Sequence, residues 1–341
     1  MSWIKPMPAQ PVVAVAGATG AVGVEMLKIL AERKFPASRI KALASARSAG
    51  RTLTYPGGEL IVEELTEQSF DDVDIALFSA GGNVSLQFAE AVVAAGAVMI
   101  DNSSALRMAE GVPLVIPEVN PQAAFQHSGI IANPNCSTIQ MVLALAPLHR
   151  QAAIQRVVVS TYQAASGAGA GAMAELYEQT RQYLDDEELT VKYLAHRIAF
   201  NVIPHIDVFM EDGSTKEEWK MAVETKKILD DESIEVIASC VRVPVLRSHS
   251  EMINVQFSEP MDVQTALELW QAFPGIEIID NPAEKLYPMP AMTSGSDAVY
   301  LGRIRKDPTV EWGINFWCVS DQLRKGAALN AIQIAELLLP T

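Results

Sequence analysis

The run VVAVAGATGAVG, residues 12–23, limits what this chain can fold into more than any other stretch of it. Five small or branched apolar residues have the length of a buried strand. GVEMLKILAERKF, beginning at Gly23, then carries apolar residues at helical spacing. Between strand and helix stand Gly17, Gly20 and Gly23. Gly17 permits a tight turn, Gly20 lets the backbone approach a diphosphate, and Gly23 allows helix and strand to pack closely. The helix start offers its unpaired N–H groups and positive dipole end to the phosphates. The reading is a dinucleotide-binding turn; a plain tight turn is what the glycines alone leave open.

The pattern continues along the chain. IKALAS, DIALFSA, AVMIDNSS and GIIANPN read as further short strands, with AEAVVAAG helical between two of them. Such alternation predicts right-handed βαβ units on a parallel sheet. Beyond about residue 150, RVVVSTYQAASG, SIEVIASCVRVPVL, EMINVQFSEP, AVYLGRIRKD and EWGINFWCVSD are longer strand-like runs, the last two joined as a hairpin by RKDPTVEWG. That half predicts a mixed or antiparallel sheet with helices on one face. The tail LRKGAALNAIQIAELLL returns to helical spacing. A chain of 341 residues is too long for one core. The expected fold class is α/β: a Rossmann-type dinucleotide-binding domain over 1–135, completed by a C-terminal helix over 322–341, and an α+β domain over 136–321.

The formal net charge of −15, with no block of one sign, argues against nucleic-acid and anionic-membrane partners. An anionic ligand then needs a locally basic pocket. No apolar run reaches the roughly 18–20 residues of a membrane span, and MSWIKPMPAQP lacks the apolar core of a secretory signal. Cys136, Cys240 and Cys318 are widely spaced and form no C-x-x-C pair, which suits a reducing cytoplasm and no metal site. The strand IKALAS ends without the acidic residue that would hold a ribose 2′-hydroxyl. It runs instead into Ser45, Arg47 and Ser48, a guanidinium able to fork onto a 2′-phosphate between two hydroxyls. The cofactor expected is NADP(H); a solvated loop arginine is the alternative.

ANPNCSTIQ sets Cys136 between an Asn-Pro-Asn turn and a helix start at Ser137-Thr138. The positive end of a helix favours the thiolate, so Cys136 reads as a nucleophile. Cys240 and Cys318, each in an apolar strand, read as structural. A nucleophilic thiol needs an acid/base partner. His249 in VLRSHSE follows a strand among polar residues, and His205 in NVIPHID competes with it. His127 and His149 read as helix-surface or loop residues, and His196 lies in a charged helical context. The residues alone leave the choice open.

GATGAVG, SAGG, DNSSALRM, PLVIPEVNP, ANPNCSTIQ, TYQAASGAG, FNVIPHID, KEEWKM, CVRVPVLRSHSE and VYLGRIR occur in this order over nearly the whole chain. Together they closely resemble the aspartate-β-semialdehyde dehydrogenase family. The resemblance implies NADPH-dependent reductive dephosphorylation of β-aspartyl phosphate, feeding lysine or diaminopimelate, methionine and threonine synthesis. It implies Cys136 as thioester nucleophile, His249 as acid/base and Gln163 orienting the substrate carbonyl. Arg242 would pair with the α-carboxylate and Glu217 with the ammonium. Arg107 and Lys220, with Asn135 nearby, would bind phosphate. Thr19, Gly20, Ala21, Val22, Arg47, Ser48, Ser166, Gly167 and Gln322 would contact NADP. A homodimer or a dimer of dimers, built on the 136–321 domain, is implied as well. Three positions depart from the family pattern: Leu106 replaces an aromatic residue, a lysine after SGAG is missing, and Gln322 replaces an asparagine.

A zwitterion carrying an acyl phosphate needs a guanidinium, a carboxylate and a second cationic pair, and these residues supply them. Singly, Arg107, Lys220 or Glu217 would pass for a surface ion pair. Two other functions share the pattern. An N-acetylglutamyl-phosphate reductase uses the same Cys/His chemistry, but its substrate has no free ammonium for Glu217. A silent dinucleotide-binding relative would have no use for Cys136, Gln163, Arg242 and His249 together.

Overall fold

A computed structural model describes residues 6–340; Met1–Lys5, part of the segment read above as lacking a secretory signal, and Thr341 lie outside it. The chain divides into two compact units, one running to Asn135 and resumed from Ala327, the other Cys136–Gly326.

In the first unit, VVAVA forms strand β1 (Val12–Ala16) and AVGVEMLKILAE the helix α1 (Ala21–Glu32). The unit continues through β2 (Arg39–Ala44), β3 (Thr52–Tyr55), β4 (Gly58–Glu64), β5 (Ile75–Phe78), α2 (Gly82–Ala94), β6 (Val98–Asp101) and β7 (Ile130–Ala132). The sheet order is β3-β4-β2-β1-β5-β6-β7, parallel at every pairing except β3 with β4. The β3–β4 hairpin was not foreseen; its residues alternate half-buried with exposed and lack a continuous apolar run.

Because side chains alternate across a strand, β1 feeds two cores. Val13 and Val15 join Met26, Leu27 and Leu30 of α1 with Ile332 and Ala335 of the C-terminal helix Leu329–Leu337. Ala14 and Ala16 join Phe78, Phe88 and Val92 on the other face. Each large aliphatic side chain buried this way contributes about 1.5–3 kcal/mol.

β1 lies between β2 and β5, so the chain reverses its direction of travel across the sheet there. That switch point is where open parallel sheets hold ligands. Gly17 sits on it with φ +86°, and a Cβ added there would lie 2.3 Å from Ser79 O. Gly17→Ala is therefore expected to cost about 2 kcal/mol from the backbone conformation and the clash combined, and to weaken dinucleotide binding. Urea unfolding and cofactor titration read both; an unchanged midpoint would mean the turn relaxes freely.

The second unit starts with α3 (Cys136–Gln151), in which Ser137 to Leu148 are all buried, as befits a helix enclosed on every side. It contains β8 (Ile154–Gln163), α4 (Ala170–Leu184), α5 (Lys216–Leu229), β9 (Glu235–Arg242), β10 (His249–Phe257), α6 (Val263–Ala272), β11 (Ile276–Ile278), β12 (Val299–Asp307) and β13 (Gly313–Ser320). The sheet is mixed, in the order β11-β12-β13-β10-β8-β9. Pairings are antiparallel except β8 with β9 and β11 with β12. α3 packs on β8, β10, β12 and β13, flanked by α5 and α6. Thr215 and Glu218 close a capping box that starts α5 at KEEW. The charged context of His196 is not helical; the residue lies in a run of bends after α4.

Candidate active site

β8 and β9 run parallel and finish together, with Gln163 opposite Arg242. β10 runs the other way and starts at His249, one step beyond the Ser250–Tyr162 pair. Gln163, Arg242 and His249 are all buried on the face that carries α3. Cys136 is the first residue of that helix and is half-buried, close enough for its sulfur to act electrostatically on Arg242. Three strand ends and a helix start thus bring the thiol, amide, guanidinium and imidazole to one end of the unit.

The His249 ring is fixed by the backbone. Ala164 N–H donates to Nδ1 at 3.0 Å, which assigns the neutral ring's proton to Nε2. Nε2 is buried without a partner. Complete burial holds the imidazole pKa well below its ordinary value, and the Arg242 cation pushes the same way. His249 therefore presents a neutral N–H donor. The residue before it, Ser248, adopts φ +74°, a strained conformation for a side-chain-bearing residue. Its N–H is caught by Gln322 Oε1 at 2.8 Å.

Gln322 also donates through Nε2 to the Ser166 hydroxyl. Both ends of this amide are used to brace the turn Ala165–Ala168 against the strand start at His249. Gly167 lies in that turn, where a Cβ would fall 2.6 Å from Arg242 Nη1 and 2.9 Å from His249 Nε2. Arg242 and His249 thus flank the same small space beside the Gly167 backbone. Gly326 abuts Cys136 in the same manner, its Cβ position 2.9 Å from that of Cys136.

A chain of charged bonds leads away from Gln163. Its Nε2 donates to Glu217 Oε1 at 3.1 Å, Glu217 Oε2 meets Lys220 Nζ at 2.6 Å, and Lys220 reaches Asp207 Oδ2 at 3.0 Å. Burial works against the Lys220 charge, but Glu217 and Asp207 outweigh it and raise the pKa. Burial also dominates at Arg242 and lowers its pKa, with Glu217 and Cys136 opposing. Arg242 donates through Nη1 to Ala164 O at 2.8 Å. Asp207, with φ +70°, was not singled out from the sequence, although it ends the quoted FNVIPHID motif.

The competing histidines have other surroundings. His205 stacks on the exposed Phe209, ring centroids 4.4 Å apart. His127 is buried and accepts from Gly129 N, and His149 ends α3 beside Asp231. The Cys240 and Cys318 thiols are buried, and burial pushes both pKa values up. Among the described residues no group of three or more His, Cys, Asp or Glu is arranged to hold a metal ion, and no helix is long and apolar enough to cross a membrane.

In the first unit Arg107 is buried, donating from Nε to Asn133 O at 2.9 Å and from Nη2 to Asn102 O at 2.8 Å. Asn135 is buried as well, at the end of this unit. Thr19 and Gly20 are exposed, Ala21 and Val22 are half-buried, and Gly20 caps α1 without any side-chain hydrogen bond. The first turn of α1 carries no acidic residue, so its N–H groups and dipole remain suited to a diphosphate. Gly23 packs too tightly for a Cβ, which would lie 2.2 Å from Gly17 O. Ser45 and Arg47 are exposed beside the short turn Ala46–Ser48, with Ser48 buried. These residues fit a dinucleotide.

Two family models match the chain: "Semialdehyde dehydrogenase, NAD binding domain" over residues 12–127 and "Semialdehyde dehydrogenase, dimerisation domain" over 145–325. The chain is 53% identical over 331 residues to an Aquifex aeolicus aspartate-semialdehyde dehydrogenase, covering 96% of this chain and 97% of the relative. A Synechocystis aspartate-semialdehyde dehydrogenase is 48% identical, with 98% of each covered. A Vibrio cholerae aspartate semialdehyde dehydrogenase II complexed with ASA superposes with a TM-score of 0.94 at 45% identity, over 97% of this chain and 98% of that one. A Candida albicans aspartate semialdehyde dehydrogenase with NADP gives a TM-score of 0.75 at 26% identity, over 96% and 98%. With a thiol, a buried imidazole and an Arg–Glu–Lys set gathered on one sheet end, and with relatives matching along the full length, the chain belongs to the aspartate-semialdehyde dehydrogenase family.

Proposed function

We propose that this chain is an aspartate-semialdehyde dehydrogenase that reduces β-aspartyl phosphate to aspartate β-semialdehyde with NADPH and releases phosphate. The observation that carries the reading is the grouping of Cys136, Gln163, Arg242 and His249 at one end of the second sheet. The Arg242 fork suits the substrate carboxylate, and the Glu217 carboxylate suits a free ammonium. An N-acetylated substrate would leave Glu217 without that ligand. Arg107, Lys220 and Asn135 are assigned to phosphate.

The Cys136 sulfur attacks the acyl-phosphate carbonyl, forming a C–S bond. The sulfur attacks as the thiolate favoured at the helix start, and collapse breaks the bond to phosphate, which takes up a proton from water as it leaves. The α3 N-terminus and the His249 Nε2–H stabilise the oxyanion, so His249 serves on the acid side of its acid/base role. Bound NADPH supplies the hydride that turns the thioester into an aldehyde. When the reduced adduct collapses, its oxyanion becomes the aldehyde carbonyl and Cys136 is regenerated as a thiolate. Covalent capture divides one difficult step into two easier ones.

The cofactor is assigned to Gly17, Thr19, Gly20, Ala21, Val22, Gly23, Ser45, Arg47 and Ser48, with Ser166, Gly167 and Gln322 from the second unit. The first unit is assigned to NADP and the second to substrate and dimerisation. The sheet face opposite α3 bears Tyr162 and Ile237 exposed and a Tyr162–Trp317 ring contact at 5.4 Å. A second copy covering that face makes a homodimer, and pairing of dimers makes a tetramer. The product serves lysine or diaminopimelate, methionine and threonine synthesis in the cytoplasm.

The test is NADP+ reduction by aspartate semialdehyde with and without inorganic phosphate. Strict dependence on phosphate is expected. A rate indifferent to phosphate points to hydrolytic aldehyde oxidation and overturns the proposal.

A further inference from the structure

Glu251 is fully buried in β10, two residues after His249 on the same face, and neither carboxyl oxygen has a hydrogen-bond partner. In register it stands opposite Thr161 of β8 on one side and Cys318 of β13 on the other. Above it packs α3, where Cys318 Sγ reaches Gln140 O at 3.8 Å. Gln140 is four residues after Cys136, one helical turn along the same face. Both atoms of its side-chain amide are buried without partners, and this amide lies near enough to Glu251 to act on its carboxyl. Helix and strand thus each carry two levels, Cys136 on α3 and His249 on β10 at the sheet end and, one step deeper, Gln140 and Glu251.

A protonated carboxyl and a carboxamide match: each has one donor and one acceptor to give the other. A carboxylate has no donor and leaves half of that pair unmet in a site shut off from water. We propose that Glu251 is a positioning residue which, as the neutral acid, pairs with Gln140 and so sets the spacing of Cys136 from His249. It touches neither substrate nor cofactor.

The charged and titratable groups that bear on it are Glu217 of α5, Cys318 of β13, Cys240 of β9 and, on its own strand, His249. None of them is a cation that would hold a carboxylate. Burial pushes the carboxyl well above its ordinary range, Gln140 opposes this and Glu217 adds to it. The sign follows. A raised folded-state pKa for an acid gives stability that is intact below the unfolded value and is lost as pH rises through the folded one. Ionisation of Glu251 should therefore loosen the deeper level on the alkaline side.

The inference rests on the function proposed above. Its test compares parent, Glu251→Gln and Glu251→Leu in the phosphate-dependent assay and in thermal melts from pH 6 to pH 9.5. Glu251→Gln keeps both a donor and an acceptor. It should hold kcat within about threefold of the parent near neutrality, show a weaker alkaline fall in kcat, and melt higher than the parent by a margin that grows with pH. Glu251→Leu should lose at least tenfold in kcat with KM within twofold. An active parent with an unimpaired Glu251→Leu overturns this inference alone, as does a Glu251→Gln variant that fails like Glu251→Leu or repeats the parent's alkaline limb. A parent without phosphate-dependent turnover overturns the proposed function and the inference with it.

Discussion

Cys136→Ala is expected to lower phosphate-dependent turnover by about 10^4-fold or more, the scale on which removal of a covalent nucleophile acts. The substitution deletes only the sulfur. The Cβ that abuts Gly326 remains, and the helix-enclosing contacts of Ser137 to Leu148 are untouched, so the thermal midpoint should barely move. NADP binding should also persist, because the glycine turn after β1 is unchanged. Intact-mass measurement separates chemistry from folding. The parent mixed with acyl-phosphate substrate and no reductant should gain one acyl group on Cys136, and the variant should gain none. Cys240 and Cys318 offer no substitute, being buried thiols with raised pKa values. Turnover within a hundredfold of the parent, or an acyl group found on another residue, would contradict the thioester route.

The sequence spoke most clearly where a fold element and a chemical constraint coincide. The glycine turn at 17–23 was legible because only glycine fits φ +86° at Gly17 and the 2.2 Å approach at Gly23. Buried strands such as β1 and β5 announced themselves as short apolar runs between polar turns. The β3–β4 hairpin did not, because its strands have one exposed side and little apolar content. α5 was equally silent: KEEWKMAVETKKIL buries Glu217, Lys220 and Glu224 along with Met221, so its inward face is not an apolar stripe. The same polar burial that hides the helix from periodicity makes it a candidate site element.

Among side chains, Cys136 reads as a nucleophile from its local sequence, and His249 is proposed as its partner only through the resemblance. What separates His249 from His205 is tertiary: a backbone N–H from Ala164, 85 residues away in sequence, seats one ring, and a stacked phenylalanine seats the other. Asp207 and Gln140 were invisible for a related reason. Each matters through the partner that folding brings to it, Lys220 in one case and Glu251 in the other. Gln322, expected to contact NADP, also fastens Ser166 and Ser248, a bracing role that no local pattern encodes.

Arg242→Lys is the second large effect expected, and its pattern differs from that of the thiol. Arg242 is buried, donates to Ala164 O through Nη1, and flanks the space beside Gly167 with His249. Lysine keeps the charge but loses the planar fork that grips a carboxylate at two points. Weakening a buried charged pair of this kind costs about 3 kcal/mol, a hundred- to thousandfold in kcat/KM. Most of it should appear as a raised KM for aspartate semialdehyde, since the carboxylate is bound alike in ground and transition states. The decisive comparison uses an aldehyde of the same length without the α-carboxylate. For that substrate parent and variant should perform nearly equally, both poorly, because the parent has nothing left for its fork to hold. If the variant instead loses the same factor on both aldehydes, Arg242 acts on Cys136 and His249 rather than on the substrate. The carboxylate pairing would then be wrong even if the thioester stands.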